Sequence, residues 1–380
     1  MNASAQTIAP DRFLNHALEM SGAERSEDPV RDLVKRALAP DTITIDRKGK
    51  FPAAFMHQLG ELGGYRQHLS SPASRGIGSF SAAVRSMATV SEECMSTGFC
   101  QDALAWYLDN ADNPEARSLL LPGISDGTQL GGTGLSNAMK HFASIEKLKV
   151  SVRKVKGGYM ANGTLPWVSN LGPGHAFASI FRREDDDGLV MAVIQCDQPG
   201  FRLQQCAEFT ALEGSGTYAC HFNNSFIPDN HVISARVPQL IRRIRSGFVL
   251  LQMGMGLGLA QGCLQIIRDM ELTHHHVNRY LDDQPDILEE ALTDAWQATE
   301  ALAEDIRDPS DSLFADVLQL RYRGSELALK ASQAAMLHAG ARGYLADAPA
   351  QRKLRESYFV AIVTPAMKHI RKELDRLGAL

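Results

Sequence analysis

Cysteine is sparse and unpatterned in this chain. Cys94, Cys100, Cys196, Cys206, Cys220 and Cys263 include no C-x-x-C pair, which argues against a disulfide framework or a zinc site and predicts reduced thiols. Positive charge is also in short supply. The 39 Lys and Arg against 44 Asp and Glu leave a net charge of −5 and a pI of about 6.2, so no basic face for nucleic acid or anionic lipid is advertised. No basic stretch followed by an apolar one opens the sequence, and no apolar run is read as long enough to span a membrane. The expectation is a cytoplasmic protein with neither a nucleic-acid nor a membrane partner. Internal repeats and low-complexity tracts are absent too. What is present is the composition of an ordinary globular protein, 44% hydrophobic and 22% charged over 380 residues, enough chain for two or three packed layers.

The period of the apolar residues divides the chain into three parts, 1–123, 124–235 and 236–380. The first is mostly helical: Leu14, Leu18 and Met20, then Phe55, Leu59 and Leu62 after a turn at Asp46–Phe51, then Ala82–Met95 and Ala103–Asn110. The second is strand-rich. Val150–Val155, Tyr159–Ala161, Ala176–Phe181, Leu189–Gln195 and Thr217–Phe222 lie between turn signals such as Gly157-Gly158 and Asp185–Gly188. The third returns to helical periodicity over Leu240–Leu272, Ile287–Arg307, Ser312–His338 and Gln351–Leu377. Helical, then β, then helical is an α+β arrangement.

Gly157–Asn170 is the most pointed stretch. Asn162-Gly163 supplies the positive backbone angles of a two-residue hairpin turn, which predicts two strands meeting there. The second would end in Trp167-Val168-Ser169-Asn170. An indole followed by a small hydroxyl residue at a strand end suits a flat heterocycle. From these residues alone, a core Trp in an ordinary hairpin is the alternative.

Five segments around that hairpin carry a family resemblance. DRKGKFPAAFMHQLGELG (Asp46–Gly63), NPEARSLLL (Asn113–Leu121), NGTLPWVSN (Asn162–Asn170), SGTYACHFNNSFIP (Ser215–Pro228) and HAGARGY (His338–Tyr344), the last followed by RKLRES (Arg352–Ser357), stand in the order of the acyl-CoA dehydrogenase superfamily. Over nearly its whole length the chain resembles these flavoproteins. The resemblance implies an N-terminal helical domain, a central β-barrel-like domain and a C-terminal four-helix bundle. It also implies FAD held between the β domain and the bundle, in a homo-oligomer (dimer or tetramer), with a flavoprotein or flavin reductase as electron partner. By the same match Trp167, Val168 and Ser169 would lie against the isoalloxazine. Thr133, Leu135 and Ser136 would meet the cofactor from the shortened loop GGTGLSN (Gly131–Asn137). Arg279 and Gln284 would serve its polar groups from HHHVNRYLDDQPDIL (274–288). Gly340, Gly343 and Tyr344 would approach the dinucleotide of a neighbouring subunit.

Two departures stand out. Dehydrogenation of an acyl thioester needs a carboxylate to take the α-proton, and at the family's usual Glu position this chain has Thr364. The alternative position, on the first bundle helix, holds Phe248, with Val249 where an arginine is usual. A threonine hydroxyl is far too weak a base at neutral pH. Glu356 and Glu373 are the nearest carboxylates in sequence and read as solvated helix charges. The second departure is the loss of charge from the thioester loop, where Ser136-Asn137 replaces Ser-Asp.

The remaining features have plain explanations beside functional ones. Gly254–Gly262, GMGLGLAQG, lies inside a helical pattern and reads as close helix contact, since a dinucleotide loop needs a preceding strand. His274–His276 cannot share a helix face and reads as a solvated helix end, not a metal site; no metal is expected. Arg236, Arg242, Arg243 and Arg245 suit either a solvated helix start or phosphate recognition. His175 is either structural or a hydrogen-bond partner near the flavin. The resulting expectation is an FAD-dependent oxidoreductase acting on a CoA thioester or a similar small molecule. A flavin-dependent monooxygenase of the same fold, or a non-catalytic subunit completing a partner's FAD site, stand as alternatives.

Overall fold

The computed structural model describes residues 28–70, 79–95, 98–205 and 207–380; Leu14, Leu18, Met20 and Cys206 lie outside them. The helices before the sheet are α1 (Pro29–Leu33), α2 (Thr42–Lys48), α3 (Ala53–Glu61), α4 (Phe80–Glu93), α5 (Phe99–Asp109) and α6 (Pro114–Ser125). Residues 46–48 belong to α2, so the expected turn at Asp46–Phe51 begins at Gly49, whose left-handed backbone ends that helix. The start of α6 is legible in its sequence. Asn113 accepts from Glu115 N at 3.1 Å and Pro114 takes the first helical position, where its missing N–H costs nothing.

The sheet contains β1 (Gly131–Thr133), β2 (Val150–Val155), β3 (Gly158–Val168), β4 (Ala176–Arg183), β5 (Leu189–Gln195), β6 (Phe201–Gln204), β7 (Tyr218–Pro228) and β8 (Val232–Ser234). Helix α7 (Leu135–Phe142) follows β1. The strand order is β6-β7-β3-β2-β4-β5-β8, with β1 pairing β4 in parallel. Two strands separate β4 from β7 in that order, yet Phe177 on β4 lies 6.4 Å and Phe181 lies 5.8 Å from the ring of Phe222 on β7. The sheet therefore curls over an aromatic core of its own.

The expected hairpin at Asn162-Gly163 is not there. β3 runs unbroken through both residues, and the turn falls earlier, at Lys156-Gly157, where Val155 pairs with Gly158. Asn162-Gly163 instead marks a shift in the β3–β7 register between Ala161 and Gly163. The bulge is clamped across the strands, Asn224 N donating to Asn162 Oδ1 at 2.9 Å. Gly163 has φ +133°, and a Cβ there would lie 2.4 Å from Lys149 O. The positive angle that suits glycine to a tight turn suits it equally to a bulge, and the partner strand decides. Gly163→Ala should cost about 1–3 kcal/mol in a urea titration; an unchanged midpoint would show that the bulge relaxes freely.

The C-terminal helices are α8 (Val237–Leu251), α9 (Met253–Asn278), α10 (Pro285–Glu304), α11 (Asp311–Ala339), α12 (Pro349–Ile362) and α13 (Met367–Leu377). Two helices expected as continuous are divided. Gln252 separates α8 from α9, and Val363–Ala366 separates α12 from α13, because Pro365 has no N–H to continue a helix. The expectation of no membrane-length apolar run also needs correction: Val237–Asn278 is long and apolar enough to cross a membrane, but 94% of its most apolar window is buried inside the protein. It is the core of the bundle. Glycine makes that packing possible, since a Cβ at Gly254 would fall 2.6 Å from Met87 Cβ and one at Gly258 only 2.2 Å from Ala88 O.

Candidate active site

The site begins where β1 meets the end of β3. Thr133 and Ser169 form an isolated antiparallel bridge, and a Cβ on Gly132 would lie 2.2 Å from Ser169 O. Only glycine permits that approach. Asn170 turns the chain with a left-handed φ of 66°, its side chain donating to Gly131 O. Buried Gln101 on α5 completes the seam: its Oε1 accepts from Gly131 N at 2.7 Å, and its Nε2 donates to Ile124 O and Gln129 O at 2.8 and 2.9 Å. The edge that presents residues 167–169 is thus fixed by buried amides from the helical part.

Hydroxyl groups gather around this edge. Thr133 Oγ1 is 2.9 Å from Tyr107 OH, Ser169 Oγ is 2.7 Å from Thr217 Oγ1, and Ser136 Oγ is 2.8 Å from Thr364 Oγ1. The last bond joins α7 to the segment between α12 and α13. Behind it, Gln252 Nε2 donates to Thr364 O at 3.0 Å, and Arg321 Nε donates to Gln252 Oε1 at 3.1 Å. Phe248 is buried with its ring 5.7 Å from that of Phe99 and 6.0 Å from that of Tyr107.

The chemistry of this set is that of hydrogen-bond donors and apolar walls, not of a base. Burial holds the Tyr107 phenol well above its usual range and pushes the Cys100 thiol up to about 12, so both stay protonated at neutral pH. Burial likewise pushes Cys196 and Cys263 up to about 12. Glu356 is not the solvated charge its sequence suggested. It is 1% exposed and held by Arg352 Nη1 at 3.3 Å and Lys353 Nζ at 3.4 Å. Lys353 also donates to Ser91 O at 2.9 Å, and Arg352 to Glu93 O, so this cluster ties α12 to the end of α4. Glu373 is buried as well, with Arg376 Nε at 3.1 Å. Glu356 is committed to structure, whereas Glu373 Oε1 is buried without a hydrogen-bond partner among the described residues.

The structure gathers Thr133, Leu135, Ser136, Trp167, Val168, Ser169, Thr364 and Phe248 about one seam. Trp167 is 60% exposed, whereas the side chains of Val168 and Leu135 point into the core, leaving only their backbone for a ligand. Arg279, Gln284, Gly340, Gly343 and Tyr344 form a second group, where the end of α9 meets the end of α11 through Asn278 Nδ2 donating to His338 O at 3.2 Å. Gln284 Nε2 donates to Asn278 O at 3.0 Å and Leu281 O at 2.6 Å, and Arg279 Nη2 to Tyr280 OH at 2.8 Å. Gly340 has φ +55° and ψ −140° at the end of α11, and a Cβ on Gly343 would meet Ala339 Cβ at 2.8 Å. Each glycine therefore has a reason within its own subunit.

The other singled-out residues lie apart. His175 is half-buried, its Nδ1 3.0 Å from Asn170 O and its ring 5.4 Å from that of Phe51; burial lowers its pKa. His275 has a carboxylate partner that its sequence reading missed, Glu271 Oε2 at 2.6 Å, one helical turn before it. Among the basic cluster, Arg243 and Arg236 meet Asp112 Oδ1 at 2.7 and 3.4 Å, and Arg245 and Arg242 meet Asp311. Tyr107, Gln101, Gln252 and Arg321 were overlooked. The signal available was a set of polar residues at positions where the helical period calls for apolar ones.

Helices flanking a curled sheet, with a polar seam between them, define an α+β architecture. No family profile matches the chain. It is 24% identical over 277 residues to a mitochondrial 2-methylacyl-CoA dehydrogenase of Solanum tuberosum, spanning 68% of this chain and 65% of that protein, slightly less than two thirds of its length. It is 22% identical over 360 residues to a mitochondrial isovaleryl-CoA dehydrogenase of Oryza sativa subsp. japonica, spanning 88% and 85% of the two chains. Butyryl-CoA dehydrogenase of Megasphaera elsdenii superposes with a TM-score of 0.78 at 16% identity, covering 92% of this chain and 95% of that one. In sequence and in fold the chain is similar to acyl-CoA dehydrogenases.

Proposed function

We propose that this protein is an FAD-dependent oxidoreductase of the acyl-CoA dehydrogenase type, acting on an acyl-CoA or a similar small organic substrate. The observation that carries the reading is the seam itself, where the exposed Trp167 and the Thr133–Ser169 bridge stand beside the Ser136–Thr364 hydroxyl pair. These residues fit a flavin. An uncovered indole offers a face for stacking, the Gly132 approach leaves backbone at the edge, and the hydroxyls of Thr133 and Ser169 are already oriented by Tyr107 and Thr217. Trp167, Ser169, Thr133 and the backbone of Val168 and Leu135 would hold the ring system. When bound, FAD supplies the two-electron acceptor.

The chain's own residues do the rest. Phe99 and Phe248 exclude water from the seam, and Ser136 and Thr364 can donate hydrogen bonds to a substrate oxygen. None of them carries a charge able to take an α-proton at neutral pH. Leu272, Tyr280, Leu337, Tyr344 and Leu345 leave apolar surface uncovered on the bundle, which supports a homodimer or homotetramer; light scattering checks this. A cytoplasmic location and a flavoprotein or flavin reductase as electron partner complete the reading.

Purified protein supplied with FAD should show flavin absorbance, and Trp167→Ala should weaken FAD about tenfold, in line with a lost aromatic stack. Protein that stays colourless with excess FAD would favour a non-catalytic subunit. A second reading, a flavin-dependent monooxygenase, is favoured by the same absence of a base at Thr364 and Phe248. Oxygen consumption with externally reduced flavin, and none of the dye reduction expected with acyl-CoAs, would select it.

A further inference from the structure

Arg321 stands in the middle of α11, 1% exposed. Its three donor nitrogens all face neutral oxygens: Nε meets Gln252 Oε1 at 3.1 Å, Nη1 meets Ser325 Oγ, and Nη2 meets Val360 O at 2.6 Å. Among the described residues no carboxylate lies within ion-pair distance of it. The contrast with its neighbours is informative. Arg352 and Lys353, also buried, share Glu356. Burial lowers the Arg321 pKa only to about 10, so the guanidinium is charged at neutral pH. A buried cation without a counter-charge is expensive to keep.

Its hydrogen bonds lead to one place. Gln252, fully buried at the junction of α8 and α9, accepts from Arg321 with its oxygen and donates with its nitrogen to Thr364 O at 3.0 Å. Thr364 in turn meets Ser136 across the seam. An amide bonded at both ends between a cation and a carbonyl is polarised, and in a dry interior that field is weakly screened.

We propose that Arg321 is a positioning residue of this site: a fixed positive charge, relayed by Gln252 to Thr364, that compensates the negative charge gained when a flavin held at the Thr133–Ser169 edge is reduced. This rests on the flavin reading above. It also accounts for a charge without a counter-charge on the buried face of α11, where hydrogen bonds to Gln252 and Val360 O alone would not require a cation.

The test is the midpoint potential of full-length protein loaded with FAD, measured by equilibration with a reference dye. Gln252→Glu keeps the shape of the side chain and places a carboxylate against Arg321, while Arg321→Met removes the charge. Both should make flavin reduction roughly tenfold less favourable, which is about 30 mV for a two-electron couple. Arg321→Lys should stay within about threefold of wild type. A purely structural Arg321 would lower the melting temperature in Arg321→Met and leave the potential unmoved. Flavin-loaded variants at the wild-type potential overturn the inference and leave the flavin reading intact. If wild-type protein takes up no flavin, both fall. If Arg321→Met does not fold, Gln252→Glu decides.

Discussion

Thr364→Glu should raise turnover of acyl-CoA substrates by about 10²–10⁴-fold, the range a positioned general base contributes. The position is a good one for the experiment. Thr364 Oγ1 already reaches across the seam to Ser136 at 2.8 Å, and Gln252 holds the Thr364 carbonyl at 3.0 Å, so a longer side chain would start from a fixed backbone. Among the described residues around the seam, Tyr107 and Cys100 stay protonated, and Glu356 is locked between Arg352 and Lys353. The wild-type protein should reduce an artificial dye only slowly across a panel of acyl-CoA chain lengths. The variant should do so faster, with a rate that falls in acid as the new carboxylate is protonated. A fast wild type and an unimproved Thr364→Glu, with flavin content equal in both, would place the base elsewhere.

Gly258→Val should damage the fold severely. Helices α4 and α9 touch through Gly254, Gly258 and Gly262, where an added Cβ would lie 2.6, 2.2 and 2.5 Å from Met87 Cβ, Ala88 O and Glu92 O. Two of those three obstacles are backbone atoms, which cannot swing aside as a side chain can. The helices would have to separate, opening the core that contains Val84, Met87, Leu257 and Leu259. Overpacking of this kind costs about 3 kcal/mol or more, with a Tm lower by roughly 4 °C or more for a chain of this size. Gly256→Ala is the control. Its Cβ would meet Gly324 O at 3.3 Å, and the gain in helix propensity offsets part of that contact, leaving a change within about 1 kcal/mol. Equal thermal melts for Gly258→Val and wild type would show that the two helices are not so closely packed.

Much of the architecture was readable locally. Val150–Val155 and Leu189–Gln195 are strands with the bounds their pattern indicated, because β-branched runs between turn residues have few other options. The glycine run at 254–262 was correctly read as helix contact, since no strand precedes it. Readings failed where one local signal serves two structures. Asn162-Gly163 fits a hairpin turn or a bulge, and only the pairing of β3 with β7 chose the bulge. Glu356 is an exposed charge by helix pattern, and only the approach of α12 to the end of α4 buries it with two cations.

The candidate site divides in the same way. By itself the sequence determined the helical, β, helical order, a matter of apolar period along each stretch, while the family resemblance singled out Trp167-Val168-Ser169 and the positions of Thr364 and Phe248, neither of which is a carboxylate. Only the tertiary structure decided that Tyr107 would orient Thr133, that Ser136 would meet Thr364, and that Arg321 would stand charged behind Gln252. Those contacts join residues 26, 228 and 69 positions apart. Periodicity reports which face of a helix is buried; it carries no information about which distant polar group will be buried against it.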